Sequence, residues 1–176
     1  MIKKIFRDNR ILNPVLRSAI RFFHQRIFPI DRVTHLYRIY GTVKLDISGT
    51  RFKIFTLSDD NIANELYYQL GYELNEFVLL RQLLKTSRYF VDVGANTGMF
   101  SLYVSTIYPT IKVISVEPHP TNFSRLQRNI QLNDFTRIEP IPCALGSVPK
   151  TISFTIPSDR SISTVASANV NFGSHV

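Results

Sequence analysis

The segment from Tyr89 to Leu145 alternates short apolar runs with longer amphipathic ones, and this alternation constrains the fold more than any other feature of the chain. It predicts strands at 89–94, 112–117 and 138–145, and helices at 99–107 and 118–133. Strands that alternate with helices at this spacing indicate a parallel sheet with right-handed crossovers. The predicted fold class is therefore α/β, with a partial parallel sheet. Pro140 and Pro142 are expected to limit the pairing of the third strand.

The flanking sequence predicts further elements. Upstream lie a helix at Asn13–Ile27, a β-hairpin at 42–54 that turns at Gly49, and helical stretches from Asp60 to Gly71 and from Glu76 to Lys85. Downstream, Thr151–Ile156 alternates like a strand, and the rest is rich in small polar residues. We therefore expect a basic helix and hairpin extension at 1–57, a Rossmann-like half-domain at 58–156, and a loosely ordered tail at 157–176.

Composition places the chain among ordinary globular proteins. Its 176 residues allow one domain, and 44% hydrophobic with 19% charged residues is not a disordered composition. The single cysteine, Cys143, excludes an intrachain disulfide and a cysteine-built zinc site, which fits a cytoplasmic location. No apolar run has the roughly 18–20 residues that span a bilayer, and arginines interrupt any signal-peptide-like stretch near the N-terminus.

The net charge of +8 belongs to the N-terminal third of the chain, because residues 1–53 contain twelve basic and only three acidic residues. The predicted helix at Asn13–Ile27 separates an Arg-bearing face from an apolar one. Such a helix either lies on an anionic membrane surface or acidic partner, or packs its apolar face on the sheet. No nucleic-acid partner is expected, because no stacking-aromatic or groove-reading motif accompanies the charge.

The run Asp92-Val-Gly94-Ala95-Asn96-Thr-Gly98 lies where the first predicted strand passes into a helix. A chain that turns sharply and approaches a ligand there needs glycine, and Asn96 tolerates left-handed backbone better than most residues. The acid at Asp92 departs from the dinucleotide-binding pattern. A carboxylate there repels a pyrophosphate, but it is compatible with the cationic sulfonium and ammonium groups of S-adenosyl-L-methionine.

Glu117 ends the second predicted strand, 19 residues after Gly98. A carboxylate at this place accepts hydrogen bonds from ribose hydroxyls in nucleotide-binding sheets, where ligands lie beyond the carboxyl ends of the strands. Two acids around a glycine turn, in a strand–helix–strand context, predict a binding site for an adenosyl cofactor. The spacing of Gly94 and Gly98 does not match G-x-G-x-x-G, which argues against a dinucleotide oxidoreductase.

Three runs in this segment resemble one known family: Val91–Ser101 (VDVGANTGMFS), Val116–Phe123 (VEPHPTNF) and Asn129–Asn133 (NIQLN). With Ala144-Leu-Gly146 and the strand predicted after it, they are similar to the FkbM family of methyltransferases over roughly residues 72–156. The resemblance implies a Rossmann-like class I methyltransferase core and S-adenosyl-L-methionine as methyl donor. It further implies transfer to an oxygen of a sugar, lipid or secondary metabolite.

The resemblance also implies roles for individual residues. The pocket for the methionine end of the cofactor would be shaped by Asp92, Gly94, Ala95, Asn96 and Gly98. Glu117 would bind the ribose, Pro118 and His119 would flank the adenine, and the adenine edge would be approached by Cys143 and Ala144. Neither a catalytic base nor a metal site is assigned.

Three side chains have competing interpretations. His119 is either a base or, as we expect, a solvated loop residue. Glu73 either reaches the methionine end of the cofactor or is a surface acid of a helix, and the latter is favoured. Cys143 is most simply a small buried apolar residue.

The sequence after Pro157 lacks the Lys-x-Asp-x-Glu-Gly-like motif that the family has at its fourth strand. A further βαβ unit takes about 30 residues or more, and only 20 follow Ile156. We therefore expect the acceptor-binding half to be missing, through a truncated reading frame or because a partner completes the fold. The alternative to a methyltransferase is a non-catalytic fragment that binds cofactor weakly or acts only as an interaction piece.

Overall fold

The computed structural model of the chain describes residues 39–57, 60–68, 74–147, 153–155 and 167–169, together with four helical residues, Val15, Ser18, Ala19 and Phe22. The strands are β1 Gly41–Ile47, β2 Thr50–Thr56, β3 Tyr89–Val93, β4 Lys112–Val116, β5 Ile138–Ile141, β6 Ser153–Thr155 and β7 Ser167–Asn169. The helices are α1 Asn61–Tyr68, α2 Leu74–Leu83, α3 Met99–Ile107 and α4 Pro120–Leu132, and a short 3₁₀ turn, Leu84–Thr86, follows α2.

The predicted β-hairpin is confirmed. Strands β1 and β2 pair antiparallel, with Ile47 opposite Thr50. Both turn residues have positive φ, 49° at Ser48 and 83° at Gly49, as a two-residue turn of the type that matches strand twist requires. The Asp46 carboxylate accepts the Gly49 N–H at 3.0 Å and closes the turn.

The predicted parallel sheet is also confirmed, in the order β3-β4-β5, and the fold class is α/β. Helix α3 connects β3 to β4, and α4 connects β4 to β5. The third strand is shorter than predicted, because it ends at Ile141 and residues 142–145 do not belong to it. Pro142 has no amide hydrogen to continue the ladder, which accounts for this end.

Helices α3 and α4 contact the parallel sheet and also strand β2 of the hairpin. Buried residues from all these elements form one hydrophobic core, with Ile54 of the hairpin, Leu102 of α3, Val113 of β4 and Leu126 of α4 at its centre. Each of these four side chains has no solvent exposure. The hairpin is thus part of the core that supports the sheet.

Helix α2 packs on α3 through an aromatic cluster. The ring of Phe77 lies 5.0 Å from that of Phe100 and 4.7 Å from that of Tyr103, measured between centroids. The helix predicted at Glu76–Lys85 begins two residues earlier, at Leu74, and its last residues form the 3₁₀ turn. The helix predicted from Asp60 is confirmed as α1, Asn61–Tyr68. At its start the Asp60 carboxylate accepts the Ala63 N–H at 2.9 Å.

Strand β3 is an edge of the three-stranded sheet, and within the described residues no strand pairs with its second edge. Alternate residues of β3 point to one face of the sheet. On that face Tyr89, Val91 and Val93 are 63%, 53% and 59% exposed, whereas Asp92 on the opposite face is buried against the helices. One face of β3 is therefore exposed to solvent, whereas the other is covered by the helices.

The two ends of the chain are described only in part. The predicted helix at Asn13–Ile27 contains the four described helical residues, and its other residues lie outside the described part. The tail at 157–176 is expected to be loosely ordered; within it the structure describes only Ser167–Asn169, which pair antiparallel with β6. Within the described ranges, none of the helices has the length and apolarity that a bilayer crossing requires.

Candidate functional site

The turn after β3, residues 94–98, is built on left-handed backbone. Gly94 and Gly98 have φ of 77° and 92°, and Asn96 between them has φ of 51°. The conformations predicted for these residues are thus confirmed. Residues other than Gly, Asn and Asp rarely adopt the left-handed backbone conformation. The residue types at these three positions therefore suit the conformation of the turn.

The turn is fixed to the carboxyl end of the neighbouring strand. The amides of Gly94 and Ala95 both donate to the carbonyl of Val116, at 2.8 and 3.0 Å, and the Gly98 amide closes the turn on the Ala95 carbonyl at 2.8 Å. Because Val116 is the last residue of β4, these bonds hold the turn directly beside Glu117. The carboxyl ends of β3 and β4 therefore form one edge, where ligands bind in parallel sheets.

Glu117 is the polar centre of this edge. Its Oε2 accepts the Asn96 N–H at 2.8 Å, and its Oε1 accepts the His119 N–H at 2.8 Å. The side chain is 5% exposed. A carboxylate has about four acceptor positions, so two backbone amides leave capacity for further donors. The structure thus brings Glu117 and the glycine turn together, as the sequence predicts.

Asp92 lies beneath the turn and is 8% exposed. Its Oδ2 accepts both the N–H of Ser101, at 3.1 Å, and the hydroxyl of Ser101, at 2.5 Å. Gly98, the N-cap of helix α3, has no side chain to cap the helix, so the Asp92 carboxylate satisfies an amide of the first turn in its place. Asp92 therefore stabilises the start of α3.

The same environment changes the acidity of Asp92. Removal of the carboxylate from water by burial raises its pKa, the two bonds from Ser101 oppose this rise, and the nearby negative charge of Glu117 adds to it. The negative form of Asp92 is thus held at an energetic cost. A cation at this edge of the sheet would relieve that cost.

Sequence reasoning missed Ser101 and Ser115. The Ser101 hydroxyl lies 2.7 Å from that of Ser115 on β4, and both residues have no solvent exposure. With Asp92 they form a buried chain of polar groups between β3, α3 and β4. The signal was present in the sequence, because a serine in the middle of an apolar strand needs a buried partner.

His119 is not the solvated loop residue that the sequence predicted. It is 6% exposed, and its Nδ1 accepts the Thr121 N–H at 3.2 Å, which makes it the N-cap of α4 ahead of Pro120. Proline at the first helical position has no amide hydrogen, so one fewer amide at the helix start needs a partner. The side chain of the preceding residue accepts one of the remaining amides. Capping fixes the ring on α4, and the backbone amide of His119 binds Glu117. Pro118 between them is half-buried.

Cys143 and Ala144 follow the end of β5. The Cys143 amide donates to the Ile141 carbonyl at 3.0 Å, and the Glu117 amide donates to the same oxygen at 3.1 Å. Cys143 is partly exposed rather than buried as predicted, and Ala144 is exposed, because both lie beyond the last residue of the strand. Glu73, the remaining candidate, lies outside the described residues.

The two glycines of the turn face different surroundings. A Cβ atom added to Gly94 would have no neighbour within 4 Å, so open space lies above the end of β3. A Cβ added to Gly98 would lie 2.6 Å from Cδ1 of Leu126 on α4. Gly94 thus leaves room at the edge of the sheet, whereas Gly98 allows α4 to pack closely on the turn.

No family model matches this chain. Over 73 residues it is 38% identical to Methyltransferase sdnD of Sordaria araneosa, a match that covers 41% of this chain and 28% of that protein. It is 36% identical over 67 residues to Methyltransferase 1 of Beauveria bassiana strain ARSEF 2860, covering 38% of this chain and 27% of the relative. The chain spans less than a third of the length of either relative.

Solved structures resemble the chain at lower identity. A putative transferase from Pyrococcus horikoshii, PH0793, has a TM-score of 0.42 at 17% identity, covering 73% of this chain and 63% of its own. The TYW2 protein of M. jannaschii, solved in complex with AdoMet, has a TM-score of 0.41 at 22% identity, covering 60% of this chain and 44% of its own.

Proposed function

We propose that this chain binds S-adenosyl-L-methionine and contributes the cofactor-binding segment of a methyltransferase of the FkbM type. The observation that carries the proposal is the position of Glu117, held by two backbone amides at the carboxyl edge of the sheet beside a left-handed glycine turn. The sequence match to two proteins named methyltransferases supports the same activity.

The residues at this edge suit such a ligand in three ways. Glu117 is a fixed acceptor for a ribose diol, because its backbone partners set its orientation. Gly94 leaves open space above the strand end for the backbone to approach the ligand. Pro118 and His119 present a half-buried ring and a capped, buried ring next to Glu117, where we place the adenine.

S-adenosyl-L-methionine supplies a methyl group on a positively charged sulfur. The chain's part is to orient this group and to provide negative charge near it, and orientation alone contributes a large share of the acceleration in such transfers. Burial raises the pKa of Asp92, so a bound cation is favoured there because it stabilises the charged carboxylate. Cys143 and Ala144 complete the proposed adenine edge.

We propose an oxygen of a sugar, lipid or secondary metabolite as the acceptor, following the resemblance of the runs VDVGANTGMFS and VEPHPTNF. A methyl-transfer assay with a panel of such acceptors distinguishes an active enzyme from a segment that binds cofactor only. Turnover by the purified chain would contradict the non-catalytic alternative.

Asp92→Asn tests the proposed charge interaction. Asparagine keeps an oxygen that accepts from Ser101, so we expect the fold to remain and stability at pH 7 to be equal or higher. Loss of the charge should weaken binding of S-adenosyl-L-methionine by about 10- to 100-fold, the range for a hydrogen bond or pair that involves a charged group. Binding of S-adenosylhomocysteine, whose sulfur is neutral, should weaken less. Isothermal titration of both ligands measures the difference.

The pH dependence follows from the same carboxylate. The cation binds the charged form, so wild-type affinity for S-adenosyl-L-methionine should fall as the pH drops through the raised pKa of Asp92, and Asp92→Asn should lack this fall. Equal losses for the charged and the neutral ligand would contradict the role of Asp92. Tight binding of NAD, with none of either sulfur ligand, would overturn the proposed function.

The basic helix that the sequence predicts at Asn13–Ile27 is proposed to contact an anionic membrane surface, since helical spacing would separate its arginines from its apolar residues. Sedimentation with vesicles of neutral lipid, and of neutral lipid mixed with anionic lipid, tests this contact. Binding only to the anionic vesicles, lost as salt is raised, is the expected result, and equal recovery with both vesicle types would contradict it.

A further inference from the structure

Asn129 on α4 connects the β-hairpin to the glycine turn. Its Oδ1 accepts the Phe55 N–H of β2 at 2.6 Å, and its Nδ2 donates to the Thr97 carbonyl at 2.8 Å. The side chain has no solvent exposure. A buried amide that uses both its oxygen and its nitrogen on backbone groups is costly to replace, because removal leaves those groups without partners.

Asn133, the residue that follows the end of α4, makes only half of this connection. Its Oδ1 accepts the Lys53 N–H and its Nδ2 donates to the Lys53 carbonyl, both at 2.7 Å. Both asparagines therefore attach β2 to α4, where β2 has no other strand partner than β1 within the described part of the chain. Only Asn129 also reaches the turn at residues 94–98.

The part of the turn that Asn129 reaches is tightly surrounded. Because residue 98 is glycine, Leu126 packs closely against it. A Cβ atom at position 98 would lie only 2.6 Å from Leu126 Cδ1, and Leu126 is three residues before Asn129. On the other side, the Thr97 hydroxyl lies 3.5 Å from Asp60 Oδ2 at the start of α1. The residue before Thr97 is Asn96, whose amide donates to Glu117. The Thr97 carbonyl that Asn129 binds therefore lies two peptide groups along the chain from the amide that orients Glu117.

We propose that Asn129 is a positioning residue for the cofactor site: it couples docking of the β-hairpin to the conformation of the turn that holds Glu117. This inference rests on the proposed function for its effect on binding. It assigns the hairpin a role in the site although none of its residues lies at the edge of the sheet. The Asn129–Asn133 run was otherwise only part of a sequence resemblance.

The test compares Asn129→Ala with Asn133→Ala, since both remove hydrogen bonds to the hairpin and only the first removes the bond to the turn. Titration with S-adenosyl-L-methionine should show a loss of about tenfold or more for Asn129→Ala, as expected for one buried hydrogen bond with its unpaired partner. Asn133→Ala should change the affinity by less than about threefold. Equal losses in the two variants would make Asn129 a structural residue and overturn the proposal.

Asn129→Asp provides a second readout. The carboxylate still accepts the Phe55 N–H, but it places a negative oxygen against the Thr97 carbonyl. The affinity relative to wild type should recover as the pH is lowered, because a protonated carboxyl donates to that carbonyl again, and dividing by the wild-type affinity removes the titration of Asp92. A pH-independent ratio would contradict the proposal.

Amide hydrogen exchange without ligand separates this inference from the proposed function. Exchange at residues 94–98 should accelerate in Asn129→Ala relative to wild type, and stay near the wild-type rate in Asn133→Ala. Unchanged exchange in Asn129→Ala would overturn the inference even if the cofactor binds. Failure of the wild-type chain to bind S-adenosyl-L-methionine, with the exchange difference present, would overturn the proposed function and leave the coupling established.

Discussion

Glu117→Gln is expected to weaken cofactor binding strongly and to destabilise the fold. The glutamine side chain has one oxygen and one NH₂ group, so it can accept only one of the two N–H groups, of Asn96 and His119, that the carboxylate accepts. The other amide is left facing a donor in a buried place, at a cost of about 1–3 kcal/mol. Loss of the oriented ribose acceptor should lower affinity about 100-fold or more. Urea denaturation and isothermal titration measure the two effects.

Glu139→Gln is a matched control for this change. Glu139 lies on the adjacent strand β5, is exposed, and forms an ion pair with Lys112 at 2.8 Å. Exposed pairs of this kind contribute little, so stability and ligand binding should stay near wild type. If Glu117→Gln behaved like Glu139→Gln, Glu117 would not be the anchor of the site.

Gly98→Ala is expected to be the most destabilising single change in the turn. The new Cβ would lie 2.6 Å from Cδ1 of the fully buried Leu126, so this side chain would have to shift within the core, and the backbone at φ 92° disfavours any side chain. Left-handed backbone costs about 1–2 kcal/mol for a residue with a Cβ, and overpacking adds about 1–3 kcal/mol. The free energy of unfolding, measured with urea, should fall by about 2–5 kcal/mol.

Gly94→Ala separates strain from crowding. Its φ of 77° imposes a similar backbone penalty, but its Cβ would meet nothing within 4 Å. The expected loss of stability is about 1–2 kcal/mol, while ligand binding should weaken because the methyl group enters the space that we assign to the cofactor. Equal losses of stability in the two alanine variants would contradict the close packing of Leu126 on the turn.

The sequence was sufficient to predict elements that depend on neighbours in the chain. The hairpin at Gly49, helix α3 and the parallel pair β3–β4 follow from short-range alternation and from glycine or proline at their ends. The left-handed conformation of Asn96 was likewise predictable, because it depends on the residue type and on the glycines two positions before and after it. Glu117 was placed correctly because strand ends in a parallel sheet lie on one edge.

Long-range polar contacts were not predictable in the same way. Asp92 caps a helix nine residues later, and Asn129 reaches the hairpin 74 residues away. Neither contact has a periodic signature, since each depends on how α3 and α4 pack on the sheet. The burial of His119 was missed for a different reason, because its capping of α4 depends on the local backbone at Pro120 and not on packing between distant elements. Strand β7 was missed because its three residues, Ser167–Asn169, are too few to show an alternating apolar pattern.

Strand β3 has no partner on its second edge within the described part of the chain. A strand with such an edge, and with valine and tyrosine side chains in water on one face, is a template for aggregation. Solutions of this chain should therefore be checked by light scattering at several protein concentrations. Self-association that involves Val91 and Val93 would otherwise compete with ligand and distort an apparent dissociation constant.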